Sequence, residues 1–188
     1  MNEHMPKARY ATDYLTIGTG KKLNIANPEP ELMDIEIIAH ALSMQCRFAG
    51  HVKEFYSVAQ HSVYVSYLVP REDALAGLLH DAAEAFVTDI PKPIKVLIPE
   101  FDVIESHFWR AITERYDLDF ELPTTVHLAD QQIVMAEARD LLPGDNWKSW
   151  YPGVEASNIY VVGMSPAEAY KTFMTRYSEL THWRNSNA

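Results

Sequence analysis

Apolar positions recur along this chain mostly at the three-and-four spacing of helices and rarely at the two-residue spacing of strands. Ile35, Ile38, Ala39 and Leu42 share one helical face behind Asp34, a capping residue, which predicts a helix from residue 35 to about 45. Val58, His61, Val65 and Leu68 form a second stripe, with Ser57 as its N-cap. Pro70 separates that helix from the run Ala74-Leu75-Ala76-Gly77-Leu78-Leu79-His80-Asp81-Ala82-Ala83-Glu84. Pro91, Pro93 and Pro99 allow only a short helix in the next segment. Phe101, Ile104, Phe108 and Ile112 mark a longer helix. Val126, Ala129, Ile133 and Leu141 mark another, stopped by Pro143-Gly144. Residues 144 to 164 read as a loop with aromatic anchors. Ser165-Pro166 opens a last helix with Ala169, Phe173, Tyr177 and Leu180 on its inner face. Residues 6 to 31, rich in Gly, Pro, Thr and Asn, read as irregular, with a short hairpin around Gly18-Thr19-Gly20. The pattern predicts an all-α helical bundle with an irregular N-terminal segment.

Composition narrows this further. At 188 residues and 47% apolar, the chain has the material for one domain with a real core and is not a disordered polymer. One domain over 1–188 is expected, with its core roughly at 33–142 and a C-terminal helix roughly at 165–184. No apolar run approaches the roughly 18–20 residues of a membrane span, and Met1 to Lys7 lack the apolar centre of a signal peptide. The single cysteine, Cys46, excludes a disulfide framework and a Cys-rich zinc site. A cytoplasmic setting is the expectation, the host cytoplasm if the chain is phage-encoded. The net charge of −10 argues against binding nucleic-acid polymers, yet leaves room for a small anionic ligand drawn in by a few converging cations.

The chemistry concentrates in His80-Asp81, an ionisable pair at the end of an apolar run. A buried ionised carboxylate needs a compensating group, and a divalent cation held by both residues supplies one. Glu84 lies four positions after His80 and three after Asp81, so a helix carries all three to one neighbourhood. Imidazole and carboxylate suit borderline and hard divalent metals. Two more such groups occur within apolar stripes, His61 and Asp130, which gives the order His61, His80-Asp81, Asp130 on three helices.

This H…HD…D order resembles the HD-domain metal-dependent phosphohydrolase superfamily. Phe55-Tyr56-Ser57-Val58-Ala59-Gln60-His61-Ser62 is similar to the first-histidine motif of its 5′-deoxynucleotidase-like branch. His80-Asp81-Ala82-Ala83-Glu84, Asp89-Ile90-Pro91-Lys92-Pro93-Ile94-Lys95, and Leu128-Ala129-Asp130 with Glu137-Ala138-Arg139-Asp140 extend the likeness over roughly residues 35 to 142. That branch includes 5′-deoxynucleotidases and phage dATP triphosphohydrolases.

The resemblance implies roles. His61, His80, Asp81 and Asp130 would hold one divalent metal ion (Co, Mn, Zn, Fe or Mg). Glu84 and Asp89 would be catalytic acids or bases. Arg47, Lys92 and Lys95 would hold phosphate oxygens, with Pro93 at their side, and Phe48 would pack on sugar or base. The bland alternatives are a structural ion pair for Arg47, surface charges for the lysines, a helix cap for Asp89 and a core position for Phe48. His107 and His127 fall between the HD pair and Asp130 but match no motif, so one metal is expected rather than two.

The implied activity is hydrolysis of deoxynucleotides by attack at the α-phosphate, with dATP giving deoxyadenosine and triphosphate as the leading case. The alternative is a 5′-deoxynucleotidase releasing orthophosphate from deoxynucleoside monophosphates. From another class comes a catalytically silent nucleotide-binding regulator. A homo-oligomer with no membrane partner is the expected state.

Overall fold

The computed structural model describes residues 14–187 and shows a helical bundle with one two-stranded sheet. The part of the irregular segment expected before Tyr14 lies outside the described residues. Strands β1 (Tyr14–Thr16) and β2 (Lys22–Asn24) pair antiparallel with Leu15 opposite Leu23, around the turn at Gly18-Thr19-Gly20. Helix α1 (Ile35–Met44) starts where Asp34 accepts from the Glu36 N–H, as its capping role requires. Helix α2 (Val58–Leu68) is capped by Ser57 in the same way, through the Gln60 N–H. Helix α3 (Ala74–Leu79), α4 (Glu84–Val87) and α5 (Lys92–Lys95) are short. Helices α6 (Pro99–Tyr116) and α7 (Thr124–Leu141) are long, and α7 stops before Pro143-Gly144. Helix α8 (Pro166–Asn187) opens on a capping box, in which the Ser165 N–H donates to the Glu168 carboxylate and the Glu168 N–H to the Ser165 hydroxyl.

Two apolar clusters share α2 between them. The larger joins α1, α2, α3, α4, α6 and α8 through Ile38, Leu42, Val58, Leu78, Phe86, Phe108, Ile112 and Phe173. The smaller packs Tyr56 and Val65 against Val126, Ala129, Ile133 and Leu141 of α7 and against Val161. Helix α2 is therefore enclosed on nearly every side rather than along one stripe. The hydrogen bonds of its polar residues are internal. Ser62 and Ser66 donate to backbone carbonyls of their own helix, and buried Arg176 of α8 donates to both the hydroxyl and the carbonyl of Ser66. Gln60 holds the returning strap through Val162 O and the Met164 N–H. There only glycine fits at position 163, because a Cβ would collide with the carbonyl of Phe55. The strap from 144 to 164 is anchored by buried Ser157 and Val161. Its aromatics do not anchor it: Trp147 and Tyr151 are half-buried, while Trp150 and Tyr160 are exposed.

The expected continuous helix through His80, Asp81 and Glu84 is broken. Residues 80–83 form a turn between α3 and α4. Its bonds run three residues apart, from Ala82 N–H to Leu79 O and from Glu84 N–H to Asp81 O. The tighter winding puts Asp81 and Glu84 nearly in register on one side.

Candidate metal centre

Three elements bring the four ligand candidates together. His61 projects from the end of the first turn of α2 and is fully buried. His80 and Asp81 come from the turn after α3, and Asp130 from the second turn of α7. Helix α3 reaches α2 at Gly77, where a Cβ would stand 3.3 Å from the Ser66 backbone, so a larger residue would push His80 away from His61.

The donor atoms face one another. His61 Nε2 is 3.3 Å from His80 Nε2, 3.4 Å from Asp81 Oδ2 and 3.2 Å from Asp130 Oδ1. His80 Nε2 is 3.2 Å from Asp81 Oδ2 and 4.0 Å from Asp130 Oδ1. Ligands around one ion at bond lengths of about 2.0–2.2 Å stand about 3.0–3.5 Å apart, so most of these separations fit a common cation.

The tautomers point the same way. His61 Nδ1 lies 2.6 Å from Glu137 Oε1 and His80 Nδ1 lies 2.8 Å from Gly77 O, both acceptors, so each Nδ1 carries a proton. In the neutral rings both Nε2 lone pairs then face each other and two carboxylates, which is repulsive without a cation or proton among them. His61, His80 and Asp130 thus form a group able to hold a metal ion, the one such cluster among the described residues. His127 is exposed, and neither it nor His107 belongs to the cluster.

The electrostatics of the ion-free site agree. Burial and Arg47 would lower the His61 pKa, but Glu137 and the bonds to Asp130 and Glu137 outweigh them and raise it to about 9. A proton here takes the place a cation would occupy. Burial would raise Asp81, yet His80, His61 and Arg47 hold it well below the usual carboxylate range. Asp130 is likewise lowered against its burial, by His61 and His80.

Sequence reasoning quoted Glu137 without giving it a role. It is fully buried and accepts from His61, from Tyr56 Oη at 2.8 Å and from Arg47 Nε at 3.1 Å. Its spacing was the available signal: seven residues, two helical turns, past Asp130 on the same face of α7.

Beside the donor cluster lies a cavity of about 620 Å³, a size suited to a small organic ligand. Every other expected site residue lines it: Arg47, Phe48, Glu84, Asp89, Lys92, Pro93 and Lys95, together with Asp81 and Asp130. Arg47 is a structural ion pair with Glu137, but its Nη1 also reaches to 3.5 Å from Asp81 Oδ2. Lys95 binds both oxygens of Glu105 and stands 3.9 Å from Glu84 Oε1. Lys92 is exposed over the Tyr151 ring. Phe48 is half-buried, belongs to neither core cluster and stands 6.3 Å from the Trp150 ring. Trp150 and Tyr151, from the strap, are lining residues that sequence reasoning missed.

Two acids on the wall are shifted toward their neutral forms. Burial first, then Asp81 and Asp89, raise Glu84 well above its ordinary value, and its Oε2 is buried with no hydrogen-bond partner among the described residues. Burial also raises Asp89, with Asp81 adding to it against Arg47. Asp89 does not cap α5, whose N-cap is Pro91. Before it, Thr88 has φ 74 and ψ 154, a conformation that is nearly confined to glycine and costs a β-branched residue about 1–3 kcal/mol.

No helix of the described residues is long and apolar enough to cross a membrane. No protein-family model matches the chain. The chain is similar to YfdR of Escherichia coli K12, an uncharacterised protein, with 42% identity over 154 residues, which are 80% of this chain and 85% of YfdR. It is also similar to an uncharacterised protein of Rhodobacter capsulatus, 31% identical over 165 residues, 82% of this chain and 76% of that protein.

Proposed function

The chain belongs to the family of Escherichia coli YfdR, and we propose that it is an HD-domain phosphohydrolase that cleaves deoxynucleotides at the α-phosphate with one divalent metal ion. The observation that carries this reading is the convergence of four lone-pair donors, from His61, His80, Asp81 and Asp130, at the wall of a cavity that also holds three cations and two raised carboxyl groups.

His61, His80, Asp81 and Asp130 would hold the divalent cation, which would supply Lewis-acid polarisation of a phosphoryl oxygen and a more acidic water. Glu137 keeps the His61 lone pair turned inward and offsets the Arg47 charge. Arg47 Nη2, for which no partner is seen among the described residues, and the Lys92 and Lys95 ammonium groups are placed to take phosphate oxygens. Glu84, which burial shifts toward its neutral form, is suited to donate a proton to the 5′-oxygen as the bond from phosphorus to that oxygen breaks. Asp89 is suited to accept a proton from the attacking water. Phe48 and Trp150 offer aromatic faces to the sugar and base.

The leading substrate is dATP, giving deoxyadenosine and triphosphate. One observation favours the second reading, release of orthophosphate from a deoxynucleoside monophosphate. Of the three cavity cations, Arg47 and Lys95 already face Glu137 and Glu105, which leaves Lys92 as the one with no carboxylate partner among the described residues to meet a polyphosphate.

Metal-supplemented turnover of dATP and dAMP, with chromatography of both products, separates the readings. Deoxyadenosine with triphosphate from dATP supports the first. Deoxyadenosine with orthophosphate from dAMP, dATP untouched, supports the second. Binding of either nucleotide with no turnover makes the chain the silent regulator.

A further inference from the structure

We infer that Gln45 is the positioning residue for Glu84 and Asp89, an inference that rests on the phosphohydrolase reading above. Gln45 does not line the cavity; it borders a separate groove with Leu15, Ile37 and Thr88. It therefore acts through the two acids and not on the substrate. Its side-chain amide donates from Nε2 to the Glu84 carbonyl at 2.9 Å and accepts at Oε1 from the Asp89 N–H at 3.0 Å. One planar group thus closes both ends of the turn that carries the acids.

The turn needs such a closure. Thr88, between the two bonded positions, holds a φ of 74 that its β-branched side chain disfavours. A conformation of that kind persists only where its surroundings fix it. The Glu84 carbonyl accepts a second bond from the Thr88 N–H at 2.8 Å, so Gln45 and Thr88 converge on one oxygen. The backbone of Gln45 ties the turn to the metal-ligand helix, because its carbonyl accepts from the N–H of Val58, the first residue of α2. Gln45 thereby sets the distance between the proton-handling acids and His61. Sequence periodicity could not show this, since the two side-chain bonds span 39 and 44 residues.

The test compares Gln45→Met, which keeps the length and removes the amide, with Gln45→Glu, which keeps an acceptor for the Asp89 N–H. Both are measured as the metal-loaded full chain, for hydrogen exchange at the Asp89 amide, metal content, and kcat and KM on whichever nucleotide the wild type turns over. Gln45→Met should speed Asp89 exchange about tenfold or more. It should lower kcat about tenfold to hundredfold, with KM within about threefold and metal content unchanged. Gln45→Glu should recover part of the Asp89 protection and of kcat, and it stands in if Gln45→Met does not fold. Unaltered Asp89 exchange overturns the clamp. A kcat loss no larger than that of Leu180→Val, a core control remote from the site, overturns the positioning role. Wild-type protein that turns over no nucleotide instead removes the phosphohydrolase reading and the catalytic half of the inference, while exchange at Asp89 still decides the clamp.

Discussion

His61 Nδ1 and Glu137 Oε1 stand 2.6 Å apart, both fully buried, one on α2 and the other on α7. The pair fixes which imidazole nitrogen faces the donor cluster. Glu137 also offsets the buried guanidinium of Arg47. Removing it leaves a misoriented ring and an unpaired cation. Glu137→Ala should weaken metal affinity about tenfold to hundredfold and lower unfolding free energy by about 3–5 kcal/mol, measured by metal titration and by urea denaturation of the ion-free protein. Unchanged metal affinity in a folded variant would show that the orientation does not matter.

Asp81 places an oxygen 3.4 Å from His61 Nε2 and 3.2 Å from His80 Nε2, beside the His61, His80 and Asp130 group, but packs in no apolar cluster. Asp81→Ala should abolish turnover and deplete bound metal while circular dichroism stays that of the wild type. Undiminished turnover in the purified variant would remove the proposed site.

The ion-free protein should become less stable as pH rises from 6.5 to about 9. His61 has its folded pKa raised to about 9 from an ordinary 6.5. Its contribution is therefore complete below pH 6.5 and lost as pH rises through about 9. A metal ion held by the His61, His80 and Asp130 group would replace that proton on Nε2, so metal affinity should rise over the same window with release of a proton. At an ion concentration about 100 times Kd, the loaded protein should gain about 2.7 kcal/mol. Melting temperatures across this window, with metal and with chelator, check both statements. Parallel curves would refute the exchange of proton for metal.

Glu84 has its pKa raised by burial, so the neutral form, the one able to donate a proton in the proposed reaction, persists above the usual carboxyl range. Turnover should fall as pH rises through that pKa. Glu84→Gln should lower kcat about a hundredfold to ten-thousandfold and erase this limb of the profile. A variant that keeps the limb would assign it to another group.

Phe48 faces the cavity from a position outside both cores. Phe48→Ala should raise KM about threefold to tenfold, the worth of one aromatic contact, with kcat nearly unchanged. Loss of thermal stability without a change in KM would return Phe48 to a packing role.

Local signals made much of the bundle legible. Asp34 and Ser57 cap α1 and α2 at the places their sequence context indicates, and Pro143-Gly144 ends α7, because caps and breakers act on their own turn of helix. The four donor residues were legible for a related reason: ionisable groups inside apolar stripes have few ways to be satisfied. Glu137 was only half legible, since spacing places it with Asp130 but cannot show that it meets His61. The stripe of Val58, His61, Val65 and Leu68 shows one buried face of α2, but the burial of Gln60 and Ser66 depends on the strap and on Arg176 of α8, which bond them from far along the chain.

By itself, then, the sequence determined the caps that open α1, α2 and α8, the breaker that ends α7 and which side chains are chemically able to hold a cation, since short-range hydrogen bonds and apolar periodicity encode these. Only the tertiary structure decided that His61, His80, Asp81 and Asp130 meet, that the chain tightens into a turn between His80 and Glu84, and that Arg47 and Lys95 already have carboxylate partners. Those outcomes depend on how α2, α3 and α7 pack around two cores, and on bonds such as those of Gln45 between residues distant in sequence. No local pattern along the chain carries that information.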